Sequence, residues 1–142
     1  MSILLGDGTG GFGPKTDFTT GSNPVAVAIG DFNVDGKPDL ATANLNVDTA
    51  SILLGTGAGG FGAKTDFATG DTPESVVVGD FNLDGIDDLA VPNNDADTVS
   101  VLLGSGTGAF GAATPTAVGD GPRSVAIGDF NAVGKPDVAV AN

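Results

Sequence analysis

Short apolar runs separated by polar, glycine-containing segments dominate the pattern of this chain. In one unit, the pattern predicts strands at Val25–Ile29 and Leu40–Asn44, which are apolar and bounded by turn residues. It predicts a third strand at Thr49–Leu54 and an outer, half-exposed strand at Ala63–Thr69, where side chains alternate. Apolar residues nowhere recur at a sustained helical spacing, so essentially no helix is expected.

The same pattern returns every 49 residues without insertion or deletion, since Ser2–Gly6 reappears as Ser51–Gly55 and Ser100–Gly104. Such a period indicates a stack of similar units, none of which can bury its apolar surface alone. Four short antiparallel strands per unit are typical of a β-propeller blade. A parallel β-helix or solenoid is the competing all-β interpretation, but its coils are usually shorter, about 20–30 residues.

The predicted fold class is all-β, a β-propeller of four-stranded antiparallel blades with three blades' worth of sequence in the chain. Residues 25–73 and 74–122 each form one whole blade. Residues 2–24 supply strands three and four of a half-blade, and residues 123–142 supply strands one and two of a complementary half-blade. No signal peptide precedes the repeat, which begins immediately after Met1, so we expect a segment excised from, or designed on, a longer array.

Charge and composition argue against several classes of function. Eighteen acidic residues against five basic ones give a net charge of −13, which repels nucleic acid and anionic lipid. The chain has no His, Cys or Tyr, so many usual catalytic bases and nucleophiles are missing and no enzyme is predicted. No apolar run approaches the ~20 residues of a membrane-spanning helix. Many of the acids lie at matching repeat positions, which favours cation binding over solvation alone.

The polar segment after the first strand of each unit carries the candidate chemistry. Loop one (residues 31–39) has oxygen-bearing side chains at positions one, three, five and nine and Gly at position six, as in an EF-hand-type calcium loop. Calcium takes about six to eight oxygens, and the carbonyl of position seven can supply one of them. The candidate ligands are Asp31, Asn33, Asp35, the Lys37 carbonyl and Asp39 in loop one, and Asp80, Asn82, Asp84, the Ile86 carbonyl and Asp88 in loop two (residues 80–88).

Loop three (residues 129–137) departs from this pattern because Val133 replaces the carboxylate at position five. A weak or lost metal site is therefore expected there, and its remaining candidate ligands are Asp129, Asn131, the Lys135 carbonyl and Asp137. The alternative for all three loops is a plain turn in which Asp side chains cap backbone amides. Two complete copies at one period, between predicted strands, favour calcium.

The Gly-Asp-Phe-Asn start of each loop, together with the pairs Phe12-Gly13, Phe61-Gly62 and Phe110-Gly111, resembles the FG-GAP or VCBS-type repeat family. Integrin alpha-subunit propellers carry a related loop. The resemblance implies one blade per repeat, calcium between its first two strands, and the same ligands in loops one and two. It also implies a family that is mostly secreted or extracellular, and it says little about activity.

The repeated phenylalanines are expected to have a structural role. Those of the loops, Phe32, Phe81 and Phe130, are predicted to pack between blades. Those of the Phe-Gly pairs, Phe12, Phe61 and Phe110, are predicted to anchor the Gly-rich turn.

Two functions stay open on the sequence. The first is a calcium-binding structural and assembly module in which two chains form a homodimer and close a six-bladed ring. A three-blade arc would expose apolar end faces and strand edges, and propellers have about four to eight blades. The alternative is a carbohydrate-binding or adhesive, lectin-like propeller. Sugar faces usually stack on Trp or Tyr, and the chain has neither, so carbohydrate is not indicated as a partner.

Overall fold

The computed structural model describes all of residues 1–142 and is all-β, with four antiparallel sheets and no helix. It therefore has no helix long and apolar enough to cross a bilayer. In chain order the strands are β1 (Ser2–Ile3), β2 (Thr16–Asp17), β3 (Pro24–Gly30), β4 (Asp39–Asn44), β5 (Thr49–Leu53), β6 (Thr65–Ala68), β7 (Val77–Gly79), β8 (Asp88–Asn93), β9 (Thr98–Leu102), β10 (Thr114–Ala117), β11 (Ser124–Gly128) and β12 (Asp137–Ala141). The expectations of antiparallel strands and of no helix are confirmed, whereas the closed ring of blades stays a prediction.

Two four-stranded sheets form the middle of the chain. The first sheet runs in the order β3-β4-β5-β6, and the second sheet comprises β7 to β10, also in sequence order. Strands were predicted at all four positions of the first sheet, and each forms within two residues of its predicted ends. In the second sheet the ladder begins only at Val77, and Pro73 makes an isolated bridge to Asn93 before it.

Each end of the chain forms a two-stranded sheet. The N-terminal pair consists of β1 and β2, with Ser2 opposite Asp17. The C-terminal pair consists of β11 and β12, with Ser124 opposite Ala141. By their position in the repeat, the N-terminal pair corresponds to the third and fourth strands of a sheet and the C-terminal pair to the first and second.

The hydrophobic core lies between the first and second sheets. All six residues of β4 and all six of β8 are buried, because these strands are central in their sheets and covered on both faces. The polar residues among them are paired: the Asn44 side-chain amide donates to the Ser51 hydroxyl at 2.8 Å, and Asn93 donates to Ser100 at 2.9 Å. No buried side-chain nitrogen or oxygen lacks a hydrogen-bond partner.

Two of the repeated phenylalanines carry this core. Phe32 is buried and meets the buried Phe110 edge-on, with ring centroids 5.4 Å apart. Phe61 and Phe81 are half-buried. Phe12 and Phe130 are exposed in the single chain, because each lies in a terminal strand pair with no further sheet beyond it, so their packing against a neighbouring sheet stays a prediction.

Truncating the core should cost far more than truncating an exposed residue of the same type. Leu102→Ala removes a fully buried side chain and should lower the free energy of unfolding by about 2–5 kcal/mol. Leu83→Ala, at an exposed loop position, should change it by less than about 0.5 kcal/mol. Urea unfolding followed by circular dichroism measures both, and equal effects would contradict the placement of the core.

Candidate metal centres

The three acidic loops occupy equivalent places in the fold. Loop one joins β3 to β4, loop two joins β7 to β8, and loop three joins β11 to β12. Each therefore connects the first two strands of a repeat, as the sequence predicts. The strands that precede the loops lie side by side, because β7 contacts both β3 and β11. The loops are consequently neighbours rather than isolated turns.

All three loops share one backbone conformation. Gly36, Gly85 and Gly134 at position six have φ values of 79°, 83° and 77°, the left-handed conformation that glycine adopts without a steric penalty. Position four is also left-handed: φ is 57° at Val34, 61° at Leu83 and 57° at Ala132. Sequence reasoning missed position four because none of these residue types favours that conformation.

Oxygens of positions one and three converge on one amide. In loop one the Asp35 N–H donates to Asp31 Oδ1 at 3.0 Å and to Asn33 Oδ1 at 3.1 Å. The Gly36 N–H donates to Asp31 Oδ2 at 2.8 Å. Loop two repeats the arrangement through Asp80, Asn82 and Asp84. The tight curl of the loop thus brings together the side-chain oxygens that were predicted as the first two ligands.

Position five is held differently in the two complete loops. In loop one the Lys37 ammonium lies 2.8 Å from Asp35 Oδ2, and this hydrogen bond holds the pKa of the Asp35 carboxyl below its ordinary value. In loop two Ile86 replaces the lysine, and the Asn82 side-chain amide donates to Asp84 Oδ2 at 2.9 Å. A cation approaching Asp35 would compete with a neighbouring positive charge, whereas one approaching Asp84 would not.

Position nine serves the backbone of its own sheet. Asp39 is fully buried and accepts the Phe32 N–H at 2.9 Å through one oxygen and the Gly55 N–H at 2.6 Å through the other. Asp88 accepts from Phe81 and Gly104 in the same way, at 2.9 and 2.8 Å. Burial raises the pKa of Asp88 above its ordinary value. Each carboxylate therefore clamps its loop to the turn that follows the third strand, a role that the sequence did not reveal.

The structure brings only part of each predicted ligand set together. Positions one and three meet at the amide of position five, while the position-nine carboxylate is turned to other backbone amides. No group of three or more acidic side chains in the chain lies close enough to hold a metal ion. The assignment of calcium ligands, including the Lys37 and Ile86 carbonyls, stays a prediction.

Loop three keeps its form without the position-five carboxylate. The Val133 N–H donates to Asp129 Oδ1 at 3.1 Å and to Asn131 Oδ1 at 3.2 Å, and the Gly134 N–H donates to Asp129 Oδ2 at 2.8 Å. Asp137 accepts only the Phe130 N–H, at 3.0 Å. The hydrogen bonds of positions one and three thus fold the loop, and the side chain at position five is not needed for this fold.

Asp87, at position eight of loop two, links two loops. Its Oδ2 accepts the Asp31 N–H at 2.8 Å, which joins loop two to the first residue of loop one. The equivalent residues of loops one and three are Pro38 and Pro136. The only sequence signal for this contact is the acid that stands in one repeat where the other two have proline.

Removing the clamp of position nine should destabilise the fold even when metal is absent. Asp88→Ala leaves two backbone amides without an acceptor, at about 1–3 kcal/mol each, so the loss should be about 2 kcal/mol or more. Asp71→Ala removes an exposed carboxylate outside the loops and should have little effect. Thermal unfolding in chelator measures both variants. If Asp88→Ala behaved like Asp71→Ala there, the carboxylate would have no structural role.

Comparison with known proteins identifies the repeat. The family described as FG-GAP-like repeat matches residues 1–42, 33–91 and 80–140, and every one of the three loops lies wholly within at least one match. No curated protein and no solved structure matches the chain. The FG-GAP repeat is a structural and adhesion module. Since the three matches together span nearly all of the sequence, the chain belongs to the FG-GAP-like repeat family.

Proposed function

We propose that the chain is a calcium-stabilised structural and assembly module, a propeller segment with a binding role rather than a catalytic one. The observation that carries this proposal is the occurrence of two complete acidic loops with the same backbone and the same convergence of oxygens. Loop one holds three carboxylates within nine residues, and loop two holds four. Their mutual repulsion would be relieved by a bound cation, and more so in loop two, which has no lysine.

The donor set favours calcium over other metals. Every candidate side-chain ligand is a carboxylate or amide oxygen, and the chain contains no His or Cys for a softer metal such as zinc. Calcium accepts irregular sets of about six to eight oxygens that mix side chains and backbone carbonyls. Magnesium requires near-ideal octahedral geometry and keeps several waters, which fits a curled protein loop less well.

A propeller arrangement is supported by the order of the strands. Both central sheets run in sequence order from the first strand to the fourth, and the first strands of successive repeats are neighbours. In a propeller such first strands surround a central channel and the fourth strands lie at the rim. On this basis residues 25–73 and 74–122 are blades. Two copies of the 142-residue chain would make a homodimer with six blades.

Calcium should raise the melting temperature of the chain. A ligand that binds only the folded state adds RT ln(1 + [L]/Kd), about 2.7 kcal/mol per site at roughly a hundredfold excess over Kd. Differential scanning calorimetry in millimolar calcium and then in chelator tests this, with magnesium at the same concentration as the control. An unchanged melting temperature would overturn the calcium assignment.

The number of ions bound should follow the residue at position five. Isothermal titration calorimetry should find about two calcium ions per chain, because loops one and two are complete. Asp35→Val, which gives loop one the residue found in loop three, should reduce the number to about one. Val133→Asp should increase it to about three, since the backbone of loop three already matches the other two. The assignment would be wrong if neither substitution changed the number of ions.

Assembly should be visible in the molar mass. The chain weighs 13.7 kDa, and light scattering should give about twice that value for a dimer. Deleting Ser2 to Gly21 removes the N-terminal strand pair but neither four-stranded sheet, so it should prevent ring closure without unfolding the remainder. A stable, monodisperse monomer of the full chain would defeat this part of the proposal, and a trimer would correct the blade count.

A further inference from the structure

We propose that two copies of the chain meet at a seam that reproduces the interface between the first and second sheets. In this seam the C-terminal pair of one copy lies where a preceding sheet would lie, against the exposed face of β3 in the other. Its second strand, β12, pairs edge to edge with β1 of that other copy. The inference rests on the proposed assembly and specifies the surfaces, the register and the polarity of the contact.

The interface within the chain defines what such a seam requires. The second sheet presents Val76, Leu89 and Val91 to the first, which presents Ala41 and Ala43, and all five are buried in one cluster.

Two further contacts join the same sheets across the interface. Phe32 of loop one packs against Phe110 with ring centroids 5.4 Å apart, and the Gly108 N–H donates to the Phe32 carbonyl at 2.8 Å. The contact therefore has small residues on one side, large residues on the other, and an aromatic pair that joins the two sides.

One end of the chain repeats the large-residue side of this interface without a cover. Val27, the equivalent of Val76 one repeat earlier, is 57% exposed, whereas Val76 is 5% exposed. Val125, the equivalent one repeat later, is also buried because it faces the second sheet. Ile29, two residues along β3 from Val27, is exposed too. The position of Val27 is thus buried in the two repeats whose preceding sheet has its first and second strands, and exposed in the one preceded only by the N-terminal pair.

The other end of the chain repeats the small-residue side. Ala139 and Ala141 of β12 are the equivalents of Ala41 and Ala43 two repeats on, and both are exposed. Phe130 is the equivalent of Phe32 and is 63% exposed, against 1% for Phe32. The exposed face of β3 therefore carries the large side chains of the interface, and the C-terminal pair carries the small ones together with a phenylalanine. In the seam Phe130 of one copy would meet Phe61 of the other, which is the equivalent of Phe110.

Polar groups at the edges of β1 and β12 are also complementary, a backbone N–H at one edge and a carboxylate at the other. The Gly55 and Gly104 N–H groups donate to the position-nine carboxylates of their own sheets. The equivalent Gly6 N–H has no acceptor within the chain, and the equivalent carboxylate, Asp137, accepts only from Phe130. A second copy placed by the repeat would bring Gly6 to Asp137 and complete the clamp.

The register of the seam follows from the register inside the first sheet. There Leu40 lies opposite Leu53, and Ala41 opposite Ile52. Strand β12 is the equivalent of β4 two repeats later, and β1 is the equivalent of β5 one repeat earlier. The same pairing therefore places Val138 of one copy opposite Leu4 of the other, and Ala139 opposite Ile3. A slip of one residue would turn the apolar side chains of β12 to the wrong face.

Single cysteines test the register and the polarity, since the wild-type chain has none. Ile3→Cys and Ala139→Cys chains are refolded together, oxidised mildly, and separated on a denaturing gel without reductant. A covalent dimer is expected from the mixture and not from either variant alone. Ala41→Cys combined with Ile52→Cys in one chain is the positive control, because this equivalent pair should form an internal disulfide. Ile3→Cys mixed with Val47→Cys, in a turn outside the seam, is the negative control.

A charge on the exposed valine tests the surface independently. Val27→Asp should leave the circular dichroism spectrum unchanged but reduce the molar mass from about twice 13.7 kDa to 13.7 kDa. Val47→Asp adds the same charge at a residue of similar exposure, 45%, outside the seam and should remain dimeric.

The outcomes separate the seam from the assembly on which it rests. A monomeric wild-type chain would overturn both. A dimeric wild-type chain would keep the assembly and overturn the seam if the mixed cysteine variants failed to cross-link and Val27→Asp stayed dimeric. Cross-linking of the Ile3→Cys variant with itself would show a head-to-head contact and would also overturn the seam.

Discussion

Lateral packing of one sheet on the next is the constraint on which the rest of this structure depends. No repeat has a core of its own, because the buried side chains of β4 and β8 are covered only by neighbouring sheets. The main cluster is therefore an interface, formed by the alanine-rich face of one sheet and the larger side chains of the next. Apolar residues lose their cover at the positions where the series of sheets stops.

A second, polar set of contacts holds each sheet at its loop end. The position-nine carboxylates, Asp39 and Asp88, each accept one backbone amide of their own loop and one from the turn after the third strand. The amide groups of Asn44 and Asn93 play a similar part at the opposite end of the second strand. Because these groups are buried, losing either partner would leave a polar atom without a hydrogen bond. These hydrogen bonds require one particular alignment of the strands, whereas the hydrophobic cluster requires only that apolar side chains be buried.

Much of the fold could be predicted from the sequence because the repeat supplies each strand three times over. Short apolar runs bounded by Gly and Pro predicted the strands of the first sheet to within two residues. The burial of individual phenylalanines could not be predicted from the repeat alone. Phe32 and Phe130 both lie in a Gly-Asp-Phe-Asn sequence, but only Phe32 has a further sheet of the chain beside it. The three acidic loops join the first and second strands, as the sequence predicts. Their Asp side chains form hydrogen bonds within the loops, a role that residue type shares with metal binding, so calcium ligation stays a prediction. The link from Asp87 to Asp31 was missed because it depends on how two loops face each other.

The shared backbone of the three loops separates the shape of the loop from its chemistry. Loop three curls in the same way as the other two although Val133 occupies position five, because the curl depends on Asp129, Asn131 and Gly134. A repeat array of this kind can therefore vary position five by single substitutions without refolding the loop. The backbone shape is common to all three repeats, whereas the charge at position five differs between them.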